Sequence, residues 1–310
     1  MELETLNKKF GIQDKIIFQE ENNLQMAVVV NDFATAIVSL YGGQILSFKA
    51  HGSEDLLFVS SQSAFEKGIA IRGGIPLCFP WFGSNPNNSD LPNHGFARLK
   101  NWEVVSTEQL ITGETRLVIS LSDDEETKSL WSHSFQTTLE MVIGKSLLIK
   151  WSVKNLGDEP FSISQALHSY FKVGNINKTT ITGLEGASYM EVIRSEEPFS
   201  GETQPITIAR EVDRSYTDTD SASAIIDNEF NRTIKIAKSG SRSTIVWNPW
   251  KQLSAKMKDL GNDDYLSFVC VETANVLHNE VQIYPEDSHS MTLEIVEEDY
   301  TPSVGTIAEN

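Results

Sequence analysis

Alternation of apolar and polar positions runs through most of the chain. The runs MAVVV (26–30), TAIVSL (35–40), ILSFKA (45–50) and DLLFVS (55–60) are short, rich in β-branched or aromatic residues, and separated by turn residues. Period two at this spacing predicts an all-β sandwich or barrel. The strongest hairpin is FQTTLEMVI–GK–SLLIKWSVKN, whose second arm sets Leu147, Ile149, Trp151 and Val153 at alternate positions. Gly144 ahead of Lys145 predicts a two-residue type II′ turn. ASAIIDNEF and RTIKIAK read as a second hairpin, followed by the strand SRSTIVWN and by late strands YLSFVCVET (265–273) and HSMTLEIVEE (289–298). Helical signals are confined to Ser61–Lys67 and Glu125–Ser132. With no repeat, linker or composition break, residues 1–310 are expected to form one domain. Its last ten residues, TPSVGTIAEN (301–310), carry no period and are expected to be mobile.

Composition narrows the functions this fold can serve. The chain has 310 residues, 40% hydrophobic and 22% charged, as a soluble globular protein with a sizeable core requires. Its formal charge of -18 excludes general binding to nucleic acid or an anionic membrane, because a polyanion is repelled. A phosphorylated ligand would need a local cationic clamp, so each of the eight arginines matters. Cys78 and Cys270 lie between apolar residues and read as buried, reduced thiols. The N-terminus lacks a signal-peptide core and no apolar run approaches a membrane span, so a cytoplasmic location is expected. There is no phosphate-loop or dinucleotide fingerprint and no metal-ligand spacing among the six histidines. Neither a cofactor nor a metal is expected.

Candidate chemistry concentrates in IRGGIPLCFPWFGSNPNNSDLPNHGFAR, residues 71–98. Arg72, Arg98 and His94 stand there among glycines, prolines and aromatics, which reads as one wall of a pocket for an anionic small molecule. The alternative is a Gly/Pro-rich connection with two solvated arginines. His168 lies in the strand-like FSISQALHSYF; alone it reads equally as a half-buried core histidine or as a general acid or base. Glu272 shares a strand face with Phe268 and Cys270, so it is placed at the end of a buried apolar face, where a carboxylate has a raised pKa or a specific partner. Asp213, in EVDRSY, reads alone as a loop carboxylate. Trp247 and Trp250 at the end of IVWNPW fit either core packing or a sugar-stacking surface, and Gly42-Gly43-Gln44 reads as a tight strand connection.

Together, YGGQILSF (41–48), IRGGIPLCFPWFG (71–83), LPNHGFAR (91–98), ALHSYF (166–171), DRSY (213–216), VWNPW (246–250) and FVCVE (268–272) resemble the aldose 1-epimerase (galactose mutarotase-like) superfamily, in its hexose-6-phosphate mutarotase branch. The resemblance implies a large antiparallel β-sandwich and interconversion of α- and β-anomers of a hexose 6-phosphate. It implies that His168 and Glu272 are the catalytic acid and base and that Arg72 and Arg98 hold the anionic group. His94 and Asp213 are implied to contact the sugar. Asn93 stands where the branch often has Gln, and Lys100 is a candidate third cation. The implied partner is a sugar phosphate, and the protein is expected to be a monomer without a cofactor. The chemistry suits the residue types, since opening a hemiacetal needs one base and one acid. An ionised carboxylate and a protonated imidazole predict a bell-shaped pH profile with the carboxylate on the acid limb. Two rivals share the architecture. One is a carbohydrate-binding module without turnover. The other is a glycoside hydrolase pairing Glu272 with Asp213.

Overall fold

In a computed structural model, residues 1–191 and 198–299 are described. The segment 301–310 lies outside them. Antiparallel sheets dominate. A nine-stranded sheet is built around the hairpin Phe135–Ile143 and Ser146–Asn155, with the late strand Ser288–Asp299 beside it. A seven-stranded sheet runs from Tyr189–Met190 through Val212–Tyr216, Ser243–Asn248 and Phe268–Asn275 to Gln165–Leu167 and Leu77–Cys78, with Tyr170–Lys172 also paired to Phe268–Asn275. The first four strands, between Ile16 and Ala50, make a third sheet.

Period two sets which face each strand buries. Leu147, Ile149, Trp151 and Val153 are all fully buried in a cluster that also takes Val246, Val269 and Val271 from the seven-stranded sheet and Val29 and Val38 from the third. The intervening residues of Phe268–Asn275 face the other way: Phe268 and Cys270 join a separate cluster with Phe58, Tyr170 and Leu260. That second face carries the candidate site.

Most strands follow the sequence pattern, and the departures have physical causes. DLLFVS (55–60) is not a strand; it makes only isolated bridges from Leu57 to Phe171 and from Val59 to Gly73. Ser61–Lys67 is not helical. Glu125–Leu130 is helical as expected, and two further helices form at Leu3–Phe10 and Trp250–Ser254. The Gly144 turn exists, but Ile143 pairs with Leu147 and Gly144 does not take the positive φ of a type II′ turn. A Cβ at Gly144 would lie 2.4 Å from Glu114 Cγ, so that side chain would have to turn away. SRSTIVWN joins the seven-stranded sheet rather than the hairpin before it.

Candidate active site

The strand-like run around His168 is broken twice, into Phe161–Ile163, Gln165–Leu167 and Tyr170–Lys172. Each of the last two pairs with Phe268–Asn275, at Leu167 with Thr273 and at Tyr170 with Cys270. His168 and Ser169 lie in the gap. The His168 amide donates to the Pro76 carbonyl (3.0 Å), one step beyond the Leu167–Leu77 pair. The imidazole sits with Nδ1 3.3 Å from Glu272 Oε1. Among the described residues, neither His168 Nδ1 nor Glu272 Oε2 has a hydrogen-bond partner, although both are buried.

One ladder row crosses four strands beside this pair: Asp213 faces Trp247, Trp247 faces Cys270, and Cys270 faces Tyr170. Tyr170 stacks on His168 with ring centroids 4.8 Å apart and 9° between planes. Trp247 meets both rings edge-on, at 6.1 and 6.0 Å. Trp250 leaves this group and packs on Tyr265. The two indoles therefore part: one borders the site and the other belongs to the packing behind it.

Arg72 reaches the same place from the 71–98 segment. Its Nη1 donates to Tyr170 Oη (2.8 Å), and its Nε and Nη2 lie 3.0 and 2.9 Å from Asp259 Oδ2. The fully buried Gln44 braces this loop, its Nε2 donating to the carbonyls of Ile71 (3.1 Å) and Gly73 (2.6 Å), one on each side of Arg72. His94 has φ 61°. Its Nδ1 accepts from the Gly83 amide (3.2 Å), leaving Nε2–H as a donor, and its ring lies 5.7 Å from that of His168. Arg98 is held by the Asn93 carbonyl (2.8 Å), and its buried Nε has no partner among the described residues.

Two calls from the sequence change. The Asn93 side chain is exposed and accepts from Ser84 Oγ (2.9 Å), while its backbone carbonyl accepts from Arg98 Nη2. Lys100 is paired with Glu126 at 2.6 Å. Tyr170 and Gln44 stand within ALHSYF and YGGQILSF without a role of their own there, and Asp259 lies outside every motif; the geometry brings all three to the site.

The electrostatics follow from burial and a cationic wall. Burial, and then the charge of Asp213, push the Glu272 carboxyl well above its ordinary range, against the opposing pull of Arg98. Burial, then His94, Arg72 and Arg98, hold the His168 imidazole well below its ordinary value. Burial and the two arginines bring His94 down to about 3, so it stays neutral. Asp213 is raised by burial and by Glu211 and Glu191. His168, Cys270 and Glu272 bring three metal-ligating atoms within 4.8 Å of one another. The cationic wall, and a thiol that burial keeps protonated, oppose a dication there.

The matches to known proteins follow this architecture. The sequence profile of the family described as aldose 1-epimerase matches residues 26–296. A protein of Cenchrus ciliaris named "Putative glucose-6-phosphate 1-epimerase" is 36% identical over 251 residues, covering 78% of this chain and 75% of that protein. One of the same name from Escherichia coli K12 is 35% identical over 253 residues, covering 82% and 84%. The crystal structure of a Salmonella typhimurium protein given a similarly provisional name, as a mutarotase, superposes with TM-score 0.87 at 29% identity, over 94% of this chain and 96% of that one. Galactose 1-epimerase of Lactobacillus acidophilus, at 12% identity over 93% and 99%, shares the fold with TM-score 0.72. This chain belongs to the aldose 1-epimerase family.

Proposed function

We propose that this protein is a hexose-6-phosphate mutarotase, with glucose 6-phosphate as its substrate, acting as a cytoplasmic single-domain monomer without a cofactor. The observation that carries the reading is the buried His168–Glu272 pair, 3.3 Å apart, with Arg72 joined to it through Tyr170. In ring opening, Glu272 takes the proton of the C1 hydroxyl and His168 gives a proton to the ring oxygen. The C1–O5 bond breaks as the C1 carbonyl forms. After rotation about C1–C2 the O5 hydroxyl adds to the other face, with the two residues exchanging roles. Arg72 and Arg98 hold the phosphate, while His94 Nε2–H and Asp213 meet sugar hydroxyls. A glycosidase reading is disfavoured because the neighbour of Glu272 is an imidazole. Asp213 lies two strands away, beyond Ser243–Asn248.

Anomer-exchange NMR on phosphorylated and free hexoses tests the reading. Exchange of hexose 6-phosphates should be accelerated with higher kcat/KM than that of free hexoses. Binding without acceleration would make the protein a sugar-binding sandwich. Arg72→Ala and Arg98→Ala should each raise KM for the phosphate sugar by roughly ten- to a hundred-fold, since a charged hydrogen bond is worth about 1.5–3 kcal/mol. Equal losses on free hexoses would make the arginines structural.

A further inference from the structure

A guanidinium carries five N–H groups. On Arg72, Asp259 Oδ2 takes Nε and one proton of Nη2, and Tyr170 Oη takes one proton of Nη1. One N–H remains on each terminal nitrogen. The Tyr170 hydroxyl accepts from Arg72, and burial keeps it protonated, so its own O–H remains to be donated. Three donors are thus left at one spot, and Asp259 decides which ones they are.

Asp259 is not there by chance of a loose loop. Its neighbour Leu260 is buried with Phe58, Tyr170, Phe268 and Cys270, which anchors the turn beside the tyrosine. Ser254 Oγ donates to the Gly261 carbonyl (2.9 Å), and the Gly261 amide donates to Asp264 Oδ2 (2.8 Å). Asp264 Oδ2 accepts also from Ser60 Oγ (2.9 Å), and the Ser60 amide donates to the Arg72 carbonyl (3.0 Å). The Ser63 Oγ accepts from the Arg72 amide (2.7 Å). The segment bearing Asp259 and the segment bearing Arg72 are therefore stapled by bonds independent of the ion pair itself. The side chains remain partly open to solvent, at 23% for Arg72 and 30% for Asp259. An incoming anion can reach the guanidinium without breaking the pair.

We propose that Asp259 is a specificity-determining positioning residue, which fixes Arg72 so that its two remaining terminal N–H groups and the Tyr170 hydroxyl meet the phosphoryl oxygens of a sugar phosphate. The inference rests on the substrate reading above. Asp259 acts through Arg72 and touches no reacting atom. Its removal frees a flexible cation, and a point charge that must be ordered at each binding event recognises a phosphate less well than a fixed fork.

The test is a KM-against-kcat split for wild type, Asp259→Ala, Asp259→Asn and Tyr170→Phe, each on glucose 6-phosphate and on free glucose. Asp259→Ala should raise KM for glucose 6-phosphate roughly tenfold or more, with kcat within a few-fold of wild type and free glucose unaffected. Asp259→Asn keeps an oxygen acceptor for Nε and should recover most of the loss. Tyr170→Phe keeps the ring stacked on His168 and should raise KM for the phosphate sugar selectively. Thermal midpoints near wild type confirm that each variant is folded. An unchanged KM in a folded Asp259→Ala overturns the proposal, as does a parallel rise for both sugars. If Asp259→Asn fails as fully as Ala, or binds phosphate more tightly than wild type, charge rather than positioning is the operative term and the proposal is also overturned. A wild-type enzyme that shows no preference for the phosphate sugar would sink the substrate reading instead, before any variant is compared.

Discussion

Glu272 is 1% and His168 7% exposed, and burial drives both toward their neutral forms. The ionised-carboxylate, protonated-imidazole pair needed for ring opening has the same number of protons as the neutral pair. The two differ only in which partner holds one proton, so the titration belongs to the pair. Going acid, the second proton must enter the depressed imidazole; going alkaline, the single proton must leave the raised carboxyl. The limb order read from the sequence is therefore inverted. On its acid side the exchange rate, less the uncatalysed rate, should hold through neutrality and fall below the ordinary histidine value of about 6.5. An acid limb centred at or above that value in single-turnover rates would refute the inversion. Glu272→Gln and His168→Ala should each lose on the order of a hundred- to ten-thousand-fold in exchange rate, as removal of a general acid or base does. A folded variant within a few-fold of wild type would remove its residue from the mechanism. The residues meeting here were legible to different degrees. Glu272 was visible because Phe268 and Cys270 share its strand face. Tyr170 was part of a quoted word without a role, and Asp259 was invisible, since its partner lies 187 positions away and nothing in the local pattern of either residue demands the other.

At the scale of elements, the site depends on places where regular structure stops. The gap at His168–Ser169 turns an imidazole out of a sheet, and the tight approach of the 94–96 turn to Phe79 sets His94. Period two located the strands because a half-buried strand advertises which face it buries. It misread DLLFVS, which is as apolar as a strand but spends its backbone bonds on irregular neighbours: the Phe58 amide goes to the Tyr170 carbonyl and the Ser60 amide to the Arg72 carbonyl. It also missed Leu3–Phe10, whose only buried residues are Leu6 and Phe10, a period-four signal too short to stand out. Two glycines of the 71–98 segment separate the conformational requirement from the spatial one. Gly95 has φ 73°, and an added Cβ would lie 1.9 Å from the Phe79 carbonyl oxygen, whereas Gly83 has φ 70° with nothing within 4 Å. Gly83→Ala should therefore cost only the left-handed backbone penalty of about 1–2 kcal/mol. Gly95→Ala should cost clearly more in denaturant unfolding, and should slow exchange in whatever folded protein remains because His94 is displaced with it. Equal destabilisation of the two would show that the turn moves freely and does not fix the histidine.

For the whole molecule, the charge of -18 and the partly buried histidines His94 and His289 pull stability in opposite directions as the pH falls. Acidification reduces self-repulsion, which stabilises the compact state. His94, held at about 3, and His289, lowered by burial, resist a proton that the unfolded chain accepts near 6.5. A depressed folded-state value means the unfolded state binds more protons between the two values, so stability is lost as pH falls through that window, by at most about 1.4 kcal/mol per pH unit for each group. The His168–Glu272 pair adds little there. Burial resists a proton on His168 and favours one on Glu272, so the two shifts oppose each other. Salt decides between the two remaining effects. Near 0.15 M the screening length is about 8 Å, which suppresses long-range repulsion and leaves the buried groups almost untouched. The thermal midpoint at that ionic strength should fall between pH 7 and pH 5, and it should fall less at about 0.01 M, where relief of repulsion offsets the histidines. His94→Gln, which cannot titrate, should flatten the fall at high salt. A midpoint that rises on acidification at both ionic strengths, or a slope unchanged in His94→Gln, would mean that surface charge alone governs acid stability and that His94 is protonated in the folded protein.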